Sequence, residues 1–286
     1  MRLPLRSVLF APGNDRRKIE KAQGLGASLV MLDLEDAVAA AEKAAARGAV
    51  CDVLAAAPAG AALGVRINAV ASGLADADLE ALAPHLGRVE LITIPMVEGP
   101  DEVRHVAARL DELERGGEPT DLLVMAETAR GILAARAIAE ASERVRTLLF
   151  GPADLGRELG VELTADGFEH LHARSALVLA ARAAGKEAPV DGPYLKLDDD
   201  EGCAVSASWS RRLGFQGKVA LHPRQLPIVT AAFAPGEREL AWAREVDSAF
   251  REAEAGGVSS LKLADGTFVD YAVAARARDL LRASGG

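Results

Sequence analysis

Glu127 and Asp154 each stand where an apolar run of strand length stops, in Leu122-Leu123-Val124-Met125-Ala126-Glu127-Thr128 and in Leu148-Leu149-Phe150-Gly151-Pro152-Ala153-Asp154-Leu155-Gly156. Two carboxylates brought to one edge of a sheet repel each other unless positive charge lies between them. A hard divalent cation such as Mg²⁺ takes oxygen ligands, often one or two carboxylates together with water and substrate. The turn Gly151-Pro152-Ala153 adds a tight backbone whose N–H groups can face an anion. The competing reading is that each acid only opens a loop or caps a helix, as acids at helix starts commonly do.

Other residues of chemical interest end other apolar runs. Arg66 closes Gly64-Val65-Arg66, where its planar fork suits a carboxylate or phosphate. An internal salt bridge to Glu127 or to the acids of Asp33–Asp36 is the alternative, and both roles are compatible. Glu35 and Asp36 either order metal-bound water behind the ligands or cap the next helix. Arg16, Arg17, Lys18 and Lys21 form a basic cluster that either is a solvated face or meets phosphates. His222, before a proline, reads as structural, and Asp191, before Gly192-Pro193, reads as a turn residue.

These residues need elements to hold them. Apolar runs predict strands at 7–11, 29–32, 64–68, 91–95, the two stretches above, 188–191 and 218–221. Helical patterns lie between them, including 38–56, a run with one apolar face from Gly131 onward, and 171–184. Strand–helix–strand around Glu127 and Asp154 predicts parallel neighbours with both acids at one carboxyl-terminal edge. Eight strands alternating with helices predict an α/β fold, a (β/α)8 TIM barrel, over 1–233. The rival, a doubly wound sheet, lacks its Gly-x-Gly-x-x-Gly turn. Residues 234–286 change character: a helix, a hairpin with an Asp-Gly turn at 265–266, Asp270, and a final amphipathic helix. This extension is too small to fold alone and must dock on its own barrel or a neighbouring subunit.

Composition narrows the classes. With 33 Lys and Arg against 42 Asp and Glu, the chain has a formal charge of −9, which argues against non-specific binding to nucleic acid. Cys51 and Cys203 are the sole cysteines and exclude a cysteine-built zinc site. The N-terminus carries Arg2 and Arg6 without a continuous apolar core before Pro12, and no apolar stretch is long enough to span a membrane. The expectation is a cytoplasmic protein with no membrane partner.

The ordered set Arg6-Ser7-Val8-Leu9-Phe10-Ala11-Pro12-Gly13, Leu32-Asp33-Leu34-Glu35-Asp36-Ala37-Val38, Val65-Arg66-Ile67-Asn68, Glu127-Thr128-Ala129 and Gly151-Pro152-Ala153-Asp154-Leu155-Gly156 resembles the citrate lyase β-subunit-like family, within the HpcH/HpaI aldolase/citrate lyase superfamily. Gly266-Thr267-Phe268-Val269-Asp270 is similar to the lid segment of the related malyl-CoA and citramalyl-CoA lyases. The resemblance implies a Mg²⁺-dependent barrel that makes or breaks a carbon–carbon bond beside a CoA or acyl-carrier thioester. It implies Glu127 and Asp154 as metal ligands and Arg66 as the residue holding the 2-oxo acid, with Gly151, Pro152 and Ala153 lining the substrate site. It implies Asp270 as the proton-transfer residue, delivered by the adjacent subunit of a homo-oligomer, a trimer or hexamer. Arg16, Arg17 and Lys21 would meet the nucleotide end of CoA. One departure stands out: many members carry lysine after the Ile-Pro of the fourth strand, where this chain has Met96.

Three functions remain open on this reading. One is a stand-alone lyase for a 3-hydroxyacyl-CoA of malyl, citramalyl or citryl type. Another is a thioesterase or synthase in which hydrolysis follows condensation. The third is a non-catalytic protein, or a citrate lyase β subunit catalytic only inside a complex, on a citryl-acyl carrier protein. Asp270 and the lid-like tail favour the stand-alone enzyme.

Overall fold

A computed structural model describes residues 4–58, 60–114 and 119–283; Arg2 and the outermost residues of the two expected domains lie outside them. Strands β1 (Ser7–Pro12), β2 (Leu29–Asp33), β3 (Leu63–Arg66), β4 (Leu91–Ile94), β5 (Asp121–Ala126), β6 (Val145–Phe150), β7 (Val190–Asp191) and β8 (Gly217–Ala220) close into one parallel barrel in chain order. Parallel neighbours need a long crossover. Here the crossovers run through α1 (Arg16–Gln23), α2 (Lys43–Ala56), α3 (Ala75–Leu82), α4 (Pro100–Leu113), α5 (Ala129–Leu133), α6 (Ala135–Ala139), α7 (Pro152–Leu159), α8 (Leu171–Ala183) and α9 (Asp200–Leu213), with α10 (Gln225–Phe233) after β8. The fold is an α/β TIM barrel.

Two boundaries differ from the sequence reading. The helix expected from Val38 begins at Lys43, because Ala40–Glu42 forms a 3₁₀ turn and the Lys43 ammonium donates to the carbonyls of Leu34 and Glu35 (2.8 and 2.7 Å), keeping the preceding loop open. The helical run between β5 and β6 is two short helices, the first capped by the Thr128 side chain, with the break at Ala134.

Strand side chains alternate between two cores, as a period of two requires. Val8, Leu29, Met31, Leu91, Leu123, Met125, Leu149, Val190 and Val219 form the inner cluster. Their neighbours Leu9, Val30, Leu32, Ile92, Leu122, Val124, Leu148 and Ala220 pack with the helices in the outer one. The seam between β8 and β1 admits glycine alone at 217, where a Cβ would run into the Leu5 carbonyl.

Backbone contacts divide the chain into two compact units, Met1–Phe233 and Ala234–Gly286. In the second, α11 (Glu237–Ala255) packs on α12 (Tyr271–Ala283), and β9 (Leu261–Lys262) pairs antiparallel with β10 (Phe268–Val269). Val246, Phe250, Leu263, Val269 and Ala274 form its core, with the Tyr271 ring edge-on to Phe250 at 5.0 Å. Among the described residues, no helix is long and apolar enough to cross a membrane.

Candidate functional site

Continuing the inward positions of three strands by one step reaches charged residues. Leu29 and Met31 are followed by Asp33, Gly64 by Arg66, and Leu123 and Met125 by Glu127; the β2–β3 register sets Asp33 opposite Arg66. All three are buried. The Arg66 Nε donates to Asp33 Oδ1 at 2.7 Å and its Nη2 to Oδ2 at 2.6 Å, a bidentate fork. Its Nη1 lies 2.9 Å from Glu35 and 3.9 Å from the exposed Asp36, and its guanidinium sits 5.1 Å from the centre of the Phe10 ring. Asp33 also accepts the N–H groups of Glu35 and Ala37 (2.9 and 3.1 Å), so one carboxylate orients both the guanidinium and the loop that brings Glu35 to it. Burial alone would lower the Arg66 pKa, but the Asp33 hydrogen bonds and charge raise it instead, so the group is permanently cationic. Burial pushes Glu35 up to about 7, with Arg66 opposing.

Glu127 ends β5 against the turn that follows β6. Its Oε1 accepts the Met96 N–H at 2.7 Å, and a Cβ at Gly151 would run into the Glu127 side chain, so glycine is needed there for close approach. Met96 adopts a left-handed φ of 55°, a conformation that a non-glycine residue holds only at a cost and that aims this N–H at the carboxylate. Asp154 stands in the first turn of α7, half-buried, and its charge reaches Glu127. Burial pushes Glu127 up to about 7; the Met96 N–H and Arg66 oppose the shift, while Asp154 and Glu35 add to it. A cavity of about 370 Å³ joins Asp33, Arg66, Glu127, Asp154 and Asp36, with Gly151, Pro152 and Ala153 along one wall.

The cavity thus presents several carboxylates to a single guanidinium. Its all-oxygen donor set and the like-charge pressure on Glu127 fit a hard divalent cation. Among the described residues, no three or more His, Cys, Asp or Glu gather as a ready metal cluster. Two protein carboxylates with water and substrate completing the shell is the pattern for such an ion.

Comparison with known proteins identifies the family. The family model for HpcH/HpaI aldolase/citrate lyase matches residues 6–223. The chain belongs to the HpcH/HpaI aldolase/citrate lyase family. A (3S)-malyl-CoA thioesterase of Cereibacter sphaeroides is 38% identical over 279 residues, 97% of this chain and 94% of that protein. The mitochondrial citramalyl-CoA lyase of Rattus norvegicus is 31% identical over 291 residues, 98% of this chain and 86% of the relative. The solved structure of CitE from Mycobacterium tuberculosis in complex with magnesium, acetoacetate and coenzyme A matches with a TM-score of 0.83 at 33% identity, covering 100% of both chains.

In this member of the HpcH/HpaI family, Arg66, Glu127, Asp154, Asp36, Gly151, Pro152 and Ala153 share one cavity, and Glu35 reaches it through Arg66. Glu35 and Asp36 do not cap a helix, since the next turn begins at Ala40. Arg16, Arg17 and Lys21 are exposed on α1, with Arg16 paired to Glu20 at 2.8 Å. Asp270 belongs to the second unit, where its Oδ1 accepts the Val273 N–H at 3.0 Å and caps α12. His222 is exposed and accepts the Arg224 N–H, a local structural role. The turn reading of Asp191 is corrected: the residue is buried in a charge cluster with Arg174 and Lys218, because its position on β7 faces the helices. Asp33 was not singled out from the other acids near it, although its place two residues after Met31 on an apolar strand marks it as inward-facing.

Asp33→Asn is expected to destabilise the protein by about 3 kcal/mol, because it leaves the buried guanidinium without its fork partner. Asp36→Asn, at an exposed position 3.9 Å away, is expected to change stability by about 0.5 kcal/mol or less. Chemical denaturation of the two variants checks the contrast; equal effects would mean that Arg66 is not fixed by Asp33.

Proposed function

We propose that this chain is a Mg²⁺-dependent carbon–carbon lyase that cleaves a 3-hydroxyacyl-CoA of malyl, citramalyl or citryl type into a 2-oxo acid and an acyl-CoA. The observation that carries the reading is one cavity holding Glu127 and Asp154 opposite an Arg66 fixed by Asp33. The relatives support it: one is a citramalyl-CoA lyase, and CitE has been solved with magnesium, acetoacetate and coenzyme A.

Cleavage breaks the bond between the thioester's α-carbon and the carbinol carbon. The bonding pair moves to the α-carbon as a thioester enolate, the hydroxyl loses its proton to become the oxo group, and the α-carbon gains a proton. Glu127 and Asp154 would hold the ion, and Glu35 and Asp36 would order water behind them. When bound, Mg²⁺ supplies Lewis acidity that lowers the pKa of the substrate hydroxyl and polarises the forming carbonyl. Arg66 takes the substrate carboxylate and stabilises negative charge as it develops. Gly151, Pro152 and Ala153 bring the positive end of α7 to the substrate. Asp270, on a lid from the neighbouring subunit of a homo-oligomer, moves the proton and helps exclude water. Arg16, Arg17 and Lys21 receive the nucleotide phosphates of CoA. The two free thiols, Cys51 and Cys203, support a reducing, cytoplasmic location.

A second reading is favoured by the (3S)-malyl-CoA thioesterase relative: hydrolysis of the thioester to free CoA and a hydroxy acid. A panel of 3-hydroxyacyl-CoA thioesters separates the two. The lyase should release 2-oxo acid in a Mg²⁺-dependent way with little free thiol, assayed by hydrazone formation and a thiol reagent. Free thiol without oxo acid would sink the lyase reading and support the thioesterase.

If Asp270 were a cap alone, Asp270→Ala would lose about 1 kcal/mol of stability and little activity. The catalytic assignment expects Asp270→Asn, which still caps, to be folded and to lose about 10²-fold or more in turnover. Mixing it with inactive Arg66→Ala should restore activity on subunit exchange, since a hybrid pairs an intact cavity with a neighbour's intact Asp270. An active Asp270→Asn would make the residue a cap alone, and no recovery despite confirmed exchange would place its action within one subunit.

A further inference from the structure

A second cavity, of about 100 Å³, lies between the outward faces of β7 and β8 and helices α8 and α9. Its floor is charged and buried. Asp191 Oδ2 accepts from Arg174 Nη2 at 2.8 Å, Lys218 Nζ at 2.8 Å and the Ser210 hydroxyl at 2.5 Å. Asp191 is 2% exposed, Lys218 2% and Arg174 3%. Two cations therefore share one carboxylate oxygen. At the rim, Glu169 and Lys196 offset each other, so the lining charges sum to one positive. Glu169 is moreover turned to the loop at Thr164, whose N–H and hydroxyl it accepts at 3.0 and 2.6 Å.

Polar atoms are left over. Among the described residues, His170, 2% exposed, lines the cavity with its Nε2 unpartnered, and Arg174 Nε is also buried without a hydrogen bond. Such orphans are uncommon in native proteins and point to a missing partner. Lys218 carries three donors; beyond Asp191 its other contact is a long 3.5 Å one to Ser210. Burial pushes His170 below its ordinary pKa. Its Nδ1 lies 3.8 Å from Glu169 Oε1, which already accepts the Thr164 N–H, and the tautomer with its proton on Nε2 offers the cavity one N–H donor. Gly167 closes the cavity at a left-handed φ of 66°, and a Cβ there would press within 2.7 Å of Arg174 Nη1. Phe150, Leu163, Pro152 and Pro193 give the cavity an apolar wall, beside the polar Thr164, Tyr194 and Ser206.

We propose that this cavity binds a small monocarboxylate of acetate size, its anionic head taken by Lys218, Arg174 and His170 and its short apolar body by Phe150 and Leu163. Single negative charge matches the uncompensated cation, and the apolar walls favour a carboxylate over a halide or water alone. The site adjoins the Glu127–Asp154 cavity, with Phe150, Pro152, Pro193 and Leu195 lining both, but Lys218, Arg174 and His170 line this one alone, and the proposal does not rest on the function proposed for the other.

The test is binding of ¹³C-acetate to the full chain, followed by line broadening at constant ionic strength with chloride as the comparison ion. Wild type should bind acetate saturably and in preference to chloride. Arg66→Lys, which alters the other cavity, should keep that binding. His170→Phe, which retains an aromatic ring edge-on to Phe150, and Lys218→Met, which leaves a neutral Arg174–Asp191 pair, should each weaken it by about tenfold or more. If Lys218→Met does not fold, His170→Phe decides alone. No saturable binding, equal displacement by chloride, loss in Arg66→Lys, or unchanged affinity in His170→Phe would each overturn the proposal.

Discussion

Arg66 is one positive charge facing five carboxylates: Asp33, Glu35 and Asp36 beside it, and Glu127 and Asp154 across the cavity. That imbalance is the constraint on which the site depends. Burial drives a carboxylate toward its neutral form, and it pushes Glu35 and Glu127 both up to about 7 although Arg66 opposes the shift. Asp33 takes the largest share of the one cation, its two oxygens bonded to the Arg66 fork and to the loop N–H groups. A bound divalent cation would supply the missing charge where Glu127 and Asp154 meet, and leave Arg66 to face a substrate anion.

The barrel makes this concentration of charge possible. Its period-two alternation fills the interior with Met31, Leu123, Met125 and Leu149, then brings Asp33, Arg66 and Glu127 to one face at the ends of β2, β3 and β5. Charges that would be ruinous one layer deeper lie where a cavity admits water and ligand. Close approach then does the rest. Gly151 lets the turn after β6 touch Glu127, and the left-handed Met96 turns its backbone N–H onto the same carboxylate. At Met96 the contact that holds Glu127 is thus a main-chain one.

Much of this was legible in the sequence because strand ends are local features. An apolar run that stops at Glu127 or Arg66 announces both the strand and the residue at its edge. The partner of Arg66 was not legible: Glu127, Asp33, Glu35 and Asp36 are equivalent until the β2–β3 register sets Asp33 opposite it. Asp191 was misread for a related reason. Next to Gly192-Pro193 it has the local look of a turn, and only the packing of α8 and β8 brings Arg174 and Lys218 to its oxygen. Lys218 inside the apolar run Val219-Ala220-Leu221 was the available signal, since a lysine beginning a buried strand needs a buried anion. The broken helix after Thr128 escaped because its apolar periodicity continues across the break at Ala134.

The central claim is that Glu127 and Asp154 together hold a divalent cation. Mn²⁺ replaces Mg²⁺ at oxygen-ligand sites and broadens nearby NMR signals, and Met125 lines this cavity beside Glu127. The most direct measurement is therefore Mn²⁺ titration of methyl-labelled protein. The expected result is selective broadening of the Met125 methyl, reversed by excess Mg²⁺ and lost in both Glu127→Gln and Asp154→Asn. Broadening that leaves Met125 untouched, or that persists in either folded variant, would contradict it.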